Sequence, residues 1–187
     1  MGAEGFTLLA LIAPGSVEAE VGRIQGGIFS EHGLLSAAAL PPLVPIAFIA
    51  PQSGAAARPA AAALLRDLER SVPAPWRISA GGPCWVSGWL YLSIDSGGMW
   101  ARLRAGALAL RGGEPDGPFP AAEGFFLGCG EASTKQREAI RPAAPEMSFS
   151  SSDIALVAVR SEGSGTWWRD VYWERIDERP LRGRRKK

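Results

Sequence analysis

The sequence predicts an α+β domain of two similar lobes, and three features of the chain support this prediction. Apolar strands alternate with amphipathic helices along most of its length. The order strand–helix–strand–helix occurs once before residue 84 and again after it. Finally, Ile154–Val159 and Thr166–Ile176 flank a turn at Gly163–Gly165, which is typical of an antiparallel hairpin. Two half-sheets that face each other across a groove satisfy this order.

The elements of the first half follow from apolar spacing and from residues that start or stop helices. Ser16 suits an N-cap, and Glu18 in the first turn complements the helix dipole. Pro59 suits the first turn of a second helix, and Pro73 follows its end. The predicted elements are a strand at 6–13, a helix from Ser16 to about Ile28, a loop at 30–39, a strand at 43–50 and a helix at 59–70.

The second half repeats this pattern before the final hairpin. Large aromatic residues such as Trp85 and Trp89 favour a single strand over Cys84–Ile94. Asp95 or Ser96 can cap the helix that follows. The other predicted elements are a helix at 97–110, a Gly/Pro-rich loop at 111–121, a strand at 123–130 and a short helix at 134–140.

Composition limits the class of protein. The chain has 187 residues, 47% of them apolar and 21% charged, which suits one well-packed domain. The apolar run Phe6–Ala13 is far shorter than the roughly 20 residues of a spanning helix, so no membrane association is expected. Cys84 and Cys129 lie far apart and form no Cys-x-x-Cys pair. We therefore expect reduced thiols in a cytoplasmic protein, with no metal site and no cofactor.

The charge is distributed unevenly along the chain. The net charge of +1 combines a mildly acidic body with a basic end. Five cations occupy the last six positions: Arg182, Arg184, Arg185, Lys186 and Lys187. We expect one two-lobed domain over residues 1–181, with a lobe boundary near residue 83, and a disordered tail over 182–187. Such a tail is a candidate contact for nucleic acid or another polyanion.

Two apolar segments, Leu40–Phe48 and Gly124–Cys129, resemble the motif strands of the 2H phosphoesterase superfamily, the LigT-like or 2′-5′ RNA ligase fold. Pro41-Pro42 before the first segment and Phe119-Pro120 before the second are similar to the family's approach to each motif. The resemblance covers nearly the whole chain. It implies two facing, mainly antiparallel sheets with helices packed outside.

The resemblance also implies that the catalytic groups are missing. Each family motif reads His-x-Thr or His-x-Ser, with one imidazole as base, the other as acid, and hydroxyls that hold phosphate oxygens. Here the histidine positions are Leu43 and Gly124, and the hydroxyl positions are Pro45 and Phe126. None of the four side chains can exchange a proton or donate a hydrogen bond. The sequence therefore predicts the fold without its usual acid–base chemistry.

Four further residues are candidates for a groove or ligand-binding role. His32 is the only histidine, expected in a solvated loop or, alternatively, as a relocated base. Cys129, in the second motif segment, is a buried small residue or a nucleophile. Trp167 and Trp168 are adjacent on a predicted strand, so they should point to opposite faces, and at least one is expected to lie outside the main core of its sheet. They either pack in the core between the lobes or line the groove and stack on a base.

Three functions are consistent with these features. The first is a catalytically degenerate 2H phosphoesterase-like protein that binds single-stranded RNA, a nucleotide or a protein partner without cleavage. The second is an active 2′,3′-cyclic phosphodiesterase or RNA ligase-like enzyme with a relocated site at His32, Cys129 or nearby carboxylates. The third is a structural or assembly subunit whose groove is filled by its own apolar side chains, because unpaired buried polar groups are costly.

Overall fold

The computed structural model describes residues 4–49, 57–71, 77–111, 117–143, 145–149, 153–161 and 166–181. The helices are α1 (Gly15–His32), α2 (Ala57–Ser71), α3 (Met99–Arg111) and α4 (Thr134–Ala139), with a 3-10 helix at Leu35–Ala38. The strands are β1 (Glu4–Ile12), β2 (Val44–Ile49), β3 (Ile78–Val86), β4 (Trp89–Asp95), β5 (Gly124–Gly128), β6 (Ser148–Phe149), β7 (Asp153–Ser161) and β8 (Val171–Pro180).

The strands form two four-stranded sheets with the orders β2-β1-β7-β8 and β5-β4-β3-β6. Every strand pair assigned within the described residues is antiparallel. The predicted two-lobed α+β class with antiparallel sheets is confirmed. The first sheet takes β1 and β2 from the start of the chain and β7 and β8 from its end. The lobe boundary near residue 83 stays a prediction.

Alternate residues of the strands divide the apolar interior into two parts. In β1, Leu9 and Leu11 contact a core that also receives the buried residues of α1, α2 and α3, which we call the helix-side core. Leu8 and Ala10 point the other way, into a groove-side core to which both sheets contribute. The members of this second core include Leu8, Ala10, Leu43, Phe48, Tyr91, Phe119, Phe126, Val157 and Trp167. Helices therefore pack outside the two sheets, whose inner faces meet across the groove.

The prediction of one strand over Cys84–Ile94 was wrong. The chain instead makes a hairpin, in which Val86 pairs with Trp89 and the two turn residues are Ser87 and Gly88. Both turn residues have positive φ, 48° and 85°, as the tight turns that match strand twist require. Continuous apolar residues on both arms conceal this two-residue turn in the sequence.

Helix α1 differs from its prediction at both ends. Its N-cap residue is Pro14, and Ser16 lies inside the first turn without capping the helix. The helix continues past the predicted stop to His32, where the Gly33 N–H donates to the Phe29 carbonyl at 2.8 Å. The predicted loop at 30–39 is therefore mostly helical, because the 3-10 helix follows after two residues.

Three other sequence predictions concern membrane spans, the final hairpin and the basic tail. No helix in the described part of the chain is both long enough and apolar enough to cross a bilayer. The final hairpin is present as β7 and β8, and β8 extends to Pro180. Its predicted turn at 163–165 and the basic tail at 182–187 lie outside the described residues.

Candidate functional site

The two predicted motif strands meet edge to edge, where the two sheets adjoin. The Phe126 backbone N–H on β5 donates to the Leu43 carbonyl at 2.9 Å. A buried side chain on α1 reinforces this junction, because Gln25 Nε2 donates to the Phe126 carbonyl at 2.9 Å and to the Leu40 carbonyl at 3.3 Å. Gln25 is only 4% exposed, so its amide hydrogen bonds stand in place of water.

The four motif positions are all buried and lie on the groove-side face, Pro45 because it pairs with Ala10 of the groove-side core. Leu43 and Phe126 are fully buried members of the groove-side core. Gly124 lies two residues before Phe126 on β5, and therefore on the same face. Pro45 contributes through its backbone, because its carbonyl accepts a hydrogen bond from Trp100 Nε1 at 2.8 Å. A backbone N–H at position 45 would point to the same edge of β2 as this carbonyl, away from β1. Proline therefore removes no hydrogen bond between β1 and β2.

The groove is filled by the protein's own aromatic side chains, centred on Phe119. This residue is on the loop before β5 and is 2% exposed. Its ring centroid lies 4.4 Å from that of Phe126 and 5.1 Å from that of Phe48. Three further rings surround it at 5.3 to 6.0 Å: Trp167, Trp89 and Phe6. We call this set, with Tyr91 and Trp168, the aromatic plug.

Polar atoms within the plug carry no useful acid–base chemistry. The Tyr91 hydroxyl donates to the Pro120 carbonyl, which anchors the loop that carries Phe119. Burial, and secondarily the Cys84 thiol, raises the pKa of Tyr91 far above its ordinary value of 10.0. Trp167 Nε1 is buried with no hydrogen-bond acceptor in the described structure. Such an unpaired donor costs about 1–3 kcal/mol, which the surrounding ring contacts must offset.

His32 lies away from the plug, at the last turn of α1. It lines a pocket of about 290 Å³ between α1 and the segment after α4, together with Arg23, Glu31 and Arg141. Its backbone carbonyl accepts a hydrogen bond from Gln136 Nε2 at 3.3 Å. The structure therefore does not bring His32 together with the motif positions.

Cys129 also lies outside the groove, because it belongs to the helix-side core and is fully buried. Burial, with a smaller contribution from the Glu131 carboxylate, raises the pKa of Cys129 from 9.0 to about 12, against an opposing effect of Arg137. The thiol is therefore protonated near neutral pH and is a poor nucleophile. Glu131 itself accepts hydrogen bonds from the Ser36 backbone N–H, at 2.8 Å, and from its hydroxyl.

The expectation for the adjacent tryptophans was wrong in its geometry. Trp167 and Trp168 precede β8 in a turn, in which the Arg169 N–H donates to the Thr166 carbonyl at 2.9 Å. Strand alternation does not apply there, and both indoles join the plug with their centroids 6.0 Å apart. Trp168 also packs edge-on against Trp89 at 5.5 Å.

A solved structure shares the fold of this chain. The crystal structure of TT0787 from Thermus thermophilus matches 96% of this chain and 100% of its own, with a TM-score of 0.58 and 19% sequence identity. The chain has the TT0787 fold. At this identity the likeness concerns the fold alone. No protein-family model matches the sequence, and a comparison with curated proteins finds no match.

The residues that close the groove of this protein were not predicted from the sequence. Phe119, Phe48 and Trp89 come from three separate segments, and local periodicity does not show that they meet. One feature of the sequence could have indicated the role of Phe119. In Gly117-Pro118-Phe119-Pro120, a large apolar residue stands between prolines in a loop. Among the described residues, no group of three or more His, Cys, Asp or Glu side chains could hold a metal ion.

Proposed function

We propose that this protein is a non-catalytic member of the LigT-like, 2H phosphoesterase-type fold, and that it acts by associating with protein. One observation carries the proposal, namely the aromatic plug that occupies the groove at the motif positions. Leu43 and Phe126 are fully buried and joined by a backbone hydrogen bond. A phosphodiester would need the space that Phe119 and its neighbours occupy.

The chemistry of the family supports the same conclusion. General acid–base catalysis contributes about 10²–10⁴ in rate and needs a group that exchanges protons near working pH. Leucine, glycine, proline and phenylalanine at the motif positions exchange none. Large apolar residues at buried positions also stabilise the closed groove, since each contributes roughly 1.5–3 kcal/mol on burial.

A relocated active site receives little support from the geometry. His32 and Cys129 belong to separate parts of the structure, a surface pocket and the helix-side core. A Cys–His pair needs the two side chains within hydrogen-bond reach. The raised pKa of Cys129 also opposes the thiolate form that such a pair would use.

Base stacking in the groove is also poorly supported. Single-stranded nucleic acid binders leave aromatic faces open to the bases. Here Trp167 is 7% exposed and its ring packs against Phe6, Phe119 and Trp168. RNA contact is then left to the basic tail, where it would be electrostatic and weak at high salt.

The outer surface offers apolar side chains that suit protein association. Phe29 and Leu35 are 42% and 45% exposed, and they line a depression of about 520 Å³ with Trp168 and Val171 at the start of β8. Tyr172, next along β8, is 64% exposed. A contiguous exposed apolar surface, such as the lining of this depression, is typical of protein interaction sites.

Two measurements on the purified full chain test the proposal. The first is hydrolysis of 2′,3′-cyclic nucleotides, with His32→Ala and Cys129→Ala as matched variants. The second is fluorescence anisotropy of a short single-stranded RNA at two salt concentrations, with the full chain and with a chain that ends at Leu181. We expect no turnover, and we expect any RNA binding to be lost both with the tail and at high salt.

Other outcomes distinguish the alternatives. Turnover that disappears in His32→Ala or Cys129→Ala would support the relocated enzyme and overturn the proposal. RNA binding that persists in the chain ending at Leu181 would indicate a nucleic-acid site in the body of the protein. A melting temperature raised by a cyclic nucleotide would indicate an open groove, because a ligand that binds only the folded state stabilises it.

A further inference from the structure

Strand β8 is the outer strand of its sheet and carries exposed aromatic side chains. Among the described strands it pairs with β7 alone. Tyr172 and Trp173 on this edge are 64% and 37% exposed. An outer strand of ten residues presents unpaired backbone groups that can pair with another strand.

The charges along β8 are arranged so that two antiparallel copies of the strand would be complementary to each other. Read outward from the bond between Ile176 and Asp177, Arg175 stands opposite Glu178, and Glu174 stands opposite Arg179. Two antiparallel copies of β8 centred on that bond would therefore align each of these cations with an anion. Opposite charges directly across an antiparallel pair stabilise it, whereas like charges destabilise it.

A β-bulge makes this register geometrically consistent. In a regular strand, residues an odd number of positions apart face opposite ways, so Glu174 and Arg179 could not lie side by side. Ile176 is bulged, because β7 pairs Leu156 with Asp177 and Val157 with Arg175. The extra residue shifts the alternation by one.

The pairing with β7 shows which face each residue takes. Glu174 lies opposite Ala158 and Arg179 lies opposite Ile154, so both lie on the face that adjoins the helix-side core. On the groove-side face, the residues opposite Val159, Val157 and Ala155 are Trp173, Arg175 and Glu178. Both charge pairs therefore have matching faces, as direct neighbours across a two-fold axis must.

We infer that two copies of this chain associate through antiparallel pairing of their β8 strands, about a two-fold axis at the Ile176–Asp177 bond. Their two four-stranded sheets then become one continuous sheet of eight strands. Trp173 comes to lie beside Pro180 of the second copy, on the same face. The inference deepens the proposed function by naming the partner, and its test measures mass rather than turnover, so either can fail alone.

The contacts within one chain are compatible with this exchange of partners. Arg175 binds Glu178 at 3.1 Å and Glu18 at 3.2 Å, and Glu174 lies 3.8 Å from Arg160 at the surface. Such exposed pairs are weak and are readily exchanged. Arg179 Nε is buried without an acceptor in the described structure, and Glu174 of the second copy would supply this guanidinium with a carboxylate. Backbone hydrogen bonds provide the affinity, and the charges select the register.

Sedimentation velocity of the full chain over a wide concentration range tests the association. We expect the two-chain mass to predominate as concentration rises. The contact between residues 174 and 179 occurs twice in the symmetric dimer, so Glu174→Arg or Arg179→Glu alone creates two like-charge contacts. Each variant should raise the dissociation constant of the dimer by about tenfold. The double variant restores complementarity and should recover the dimer. Glu138→Arg, an exposed charge reversal on α4, is the matched control and should leave the mass unchanged.

Cysteine pairs test the register directly. Opposite Cα atoms in an antiparallel pair are about 4.5–5.5 Å apart, which suits a disulfide. Within one chain, five residues along a strand span about 16 Å and cannot be bridged. With oxidised glutathione as oxidant, Glu174→Cys/Arg179→Cys should form a covalent dimer. Tyr172→Cys/Arg179→Cys, which shares the face but lies two residues out of register, should not.

A single-chain mass at every concentration, together with no cross-link in the Glu174→Cys/Arg179→Cys variant, would overturn the inference. A dimer that both charge reversals leave intact would place the interface elsewhere and would overturn it equally. Far-ultraviolet circular dichroism of each variant distinguishes loss of association from loss of folding.

Discussion

The backbone N–H of Phe126 donates to the carbonyl of Leu43 at 2.9 Å, which joins the two predicted motif strands where the sheets meet. In an open groove of this fold, these positions would carry the reacting groups that the family resemblance implies. Here their side chains belong to one packed core. The groove is therefore part of what holds the two lobes together, and four predictions follow from that role and from the packing around it.

Phe119→Ala should lower the free energy of unfolding by about 3–5 kcal/mol, because it leaves a cavity at the centre of the aromatic plug. Urea denaturation followed by circular dichroism measures the change. Phe29→Ala is the matched control, since Phe29 is 42% exposed and its loss should cost no more than about 0.5 kcal/mol. Equal costs for the two variants would contradict the packing of Phe119 described above.

Gln25→Met should destabilise the protein by about 1–3 kcal/mol for each carbonyl left unpaired, those of Leu40 and Phe126. Gln25→Glu adds a test by pH. Burial raises the pKa of a carboxyl group at this position, so the variant keeps its stability at low pH and loses it as pH rises through the folded-state pKa. Denaturation midpoints that are independent of pH in Gln25→Glu would show that the amide is solvated.

Gly128→Ala should destabilise the protein strongly. Gly128 has a φ of 78°, and a Cβ there would overlap the Ser36 carbonyl oxygen, so the 3-10 helix would have to move. Gly26→Ala is the control of opposite sign, because a Cβ at this exposed helical position meets nothing within 4 Å. We expect it to stabilise α1 by roughly 0.5–1 kcal/mol. Thermal denaturation of both variants measures the difference, and stabilisation in Gly128→Ala would refute the close approach.

The two thiols should differ in reactivity, and Cys129 should make stability depend on alkaline pH. Cys84 is half-buried and Cys129 is fully buried, so a thiol reagent should label Cys84 first and Cys129 only on unfolding. Burial raises the pKa of Cys129 from 9.0 to about 12. The stability contributed by its neutral form is therefore complete below pH 9 and is lost between about pH 9 and 12.

Denaturation at neutral and alkaline pH, with mass spectrometry of the labelled chain, measures both effects. Cys129→Ala should reduce the alkaline loss, and the remainder should come from Tyr91 and Cys84, because burial raises the pKa of each of these groups as well. Labelling of Cys129 before Cys84 in the folded protein would show that Cys129 is not buried as described.

Much of the framework could be predicted from local patterns, and its failures have identifiable causes. The stripe of Val17, Val21 and Ile24 predicted α1, but its end depended on a cap at Gly33 that apolar spacing does not reveal. The hairpin at Ser87 was hidden because both arms are apolar. The adjacent tryptophans look like a strand in sequence, yet they lie in a turn because the plug takes both indoles.

The sequence by itself determined the two-lobed α+β class, the order of most elements and the absence of histidine and hydroxyl side chains at the motif positions. These properties follow from residue identity and from apolar periodicity over neighbouring residues. Only the tertiary structure decided that Phe119 and its neighbours fill the groove, that Cys129 faces the helices, and that a bulge at Ile176 aligns the charges of β8. Each of these depends on contacts between segments far apart in the chain, and local spacing carries no information about which side chains meet when the sheets close.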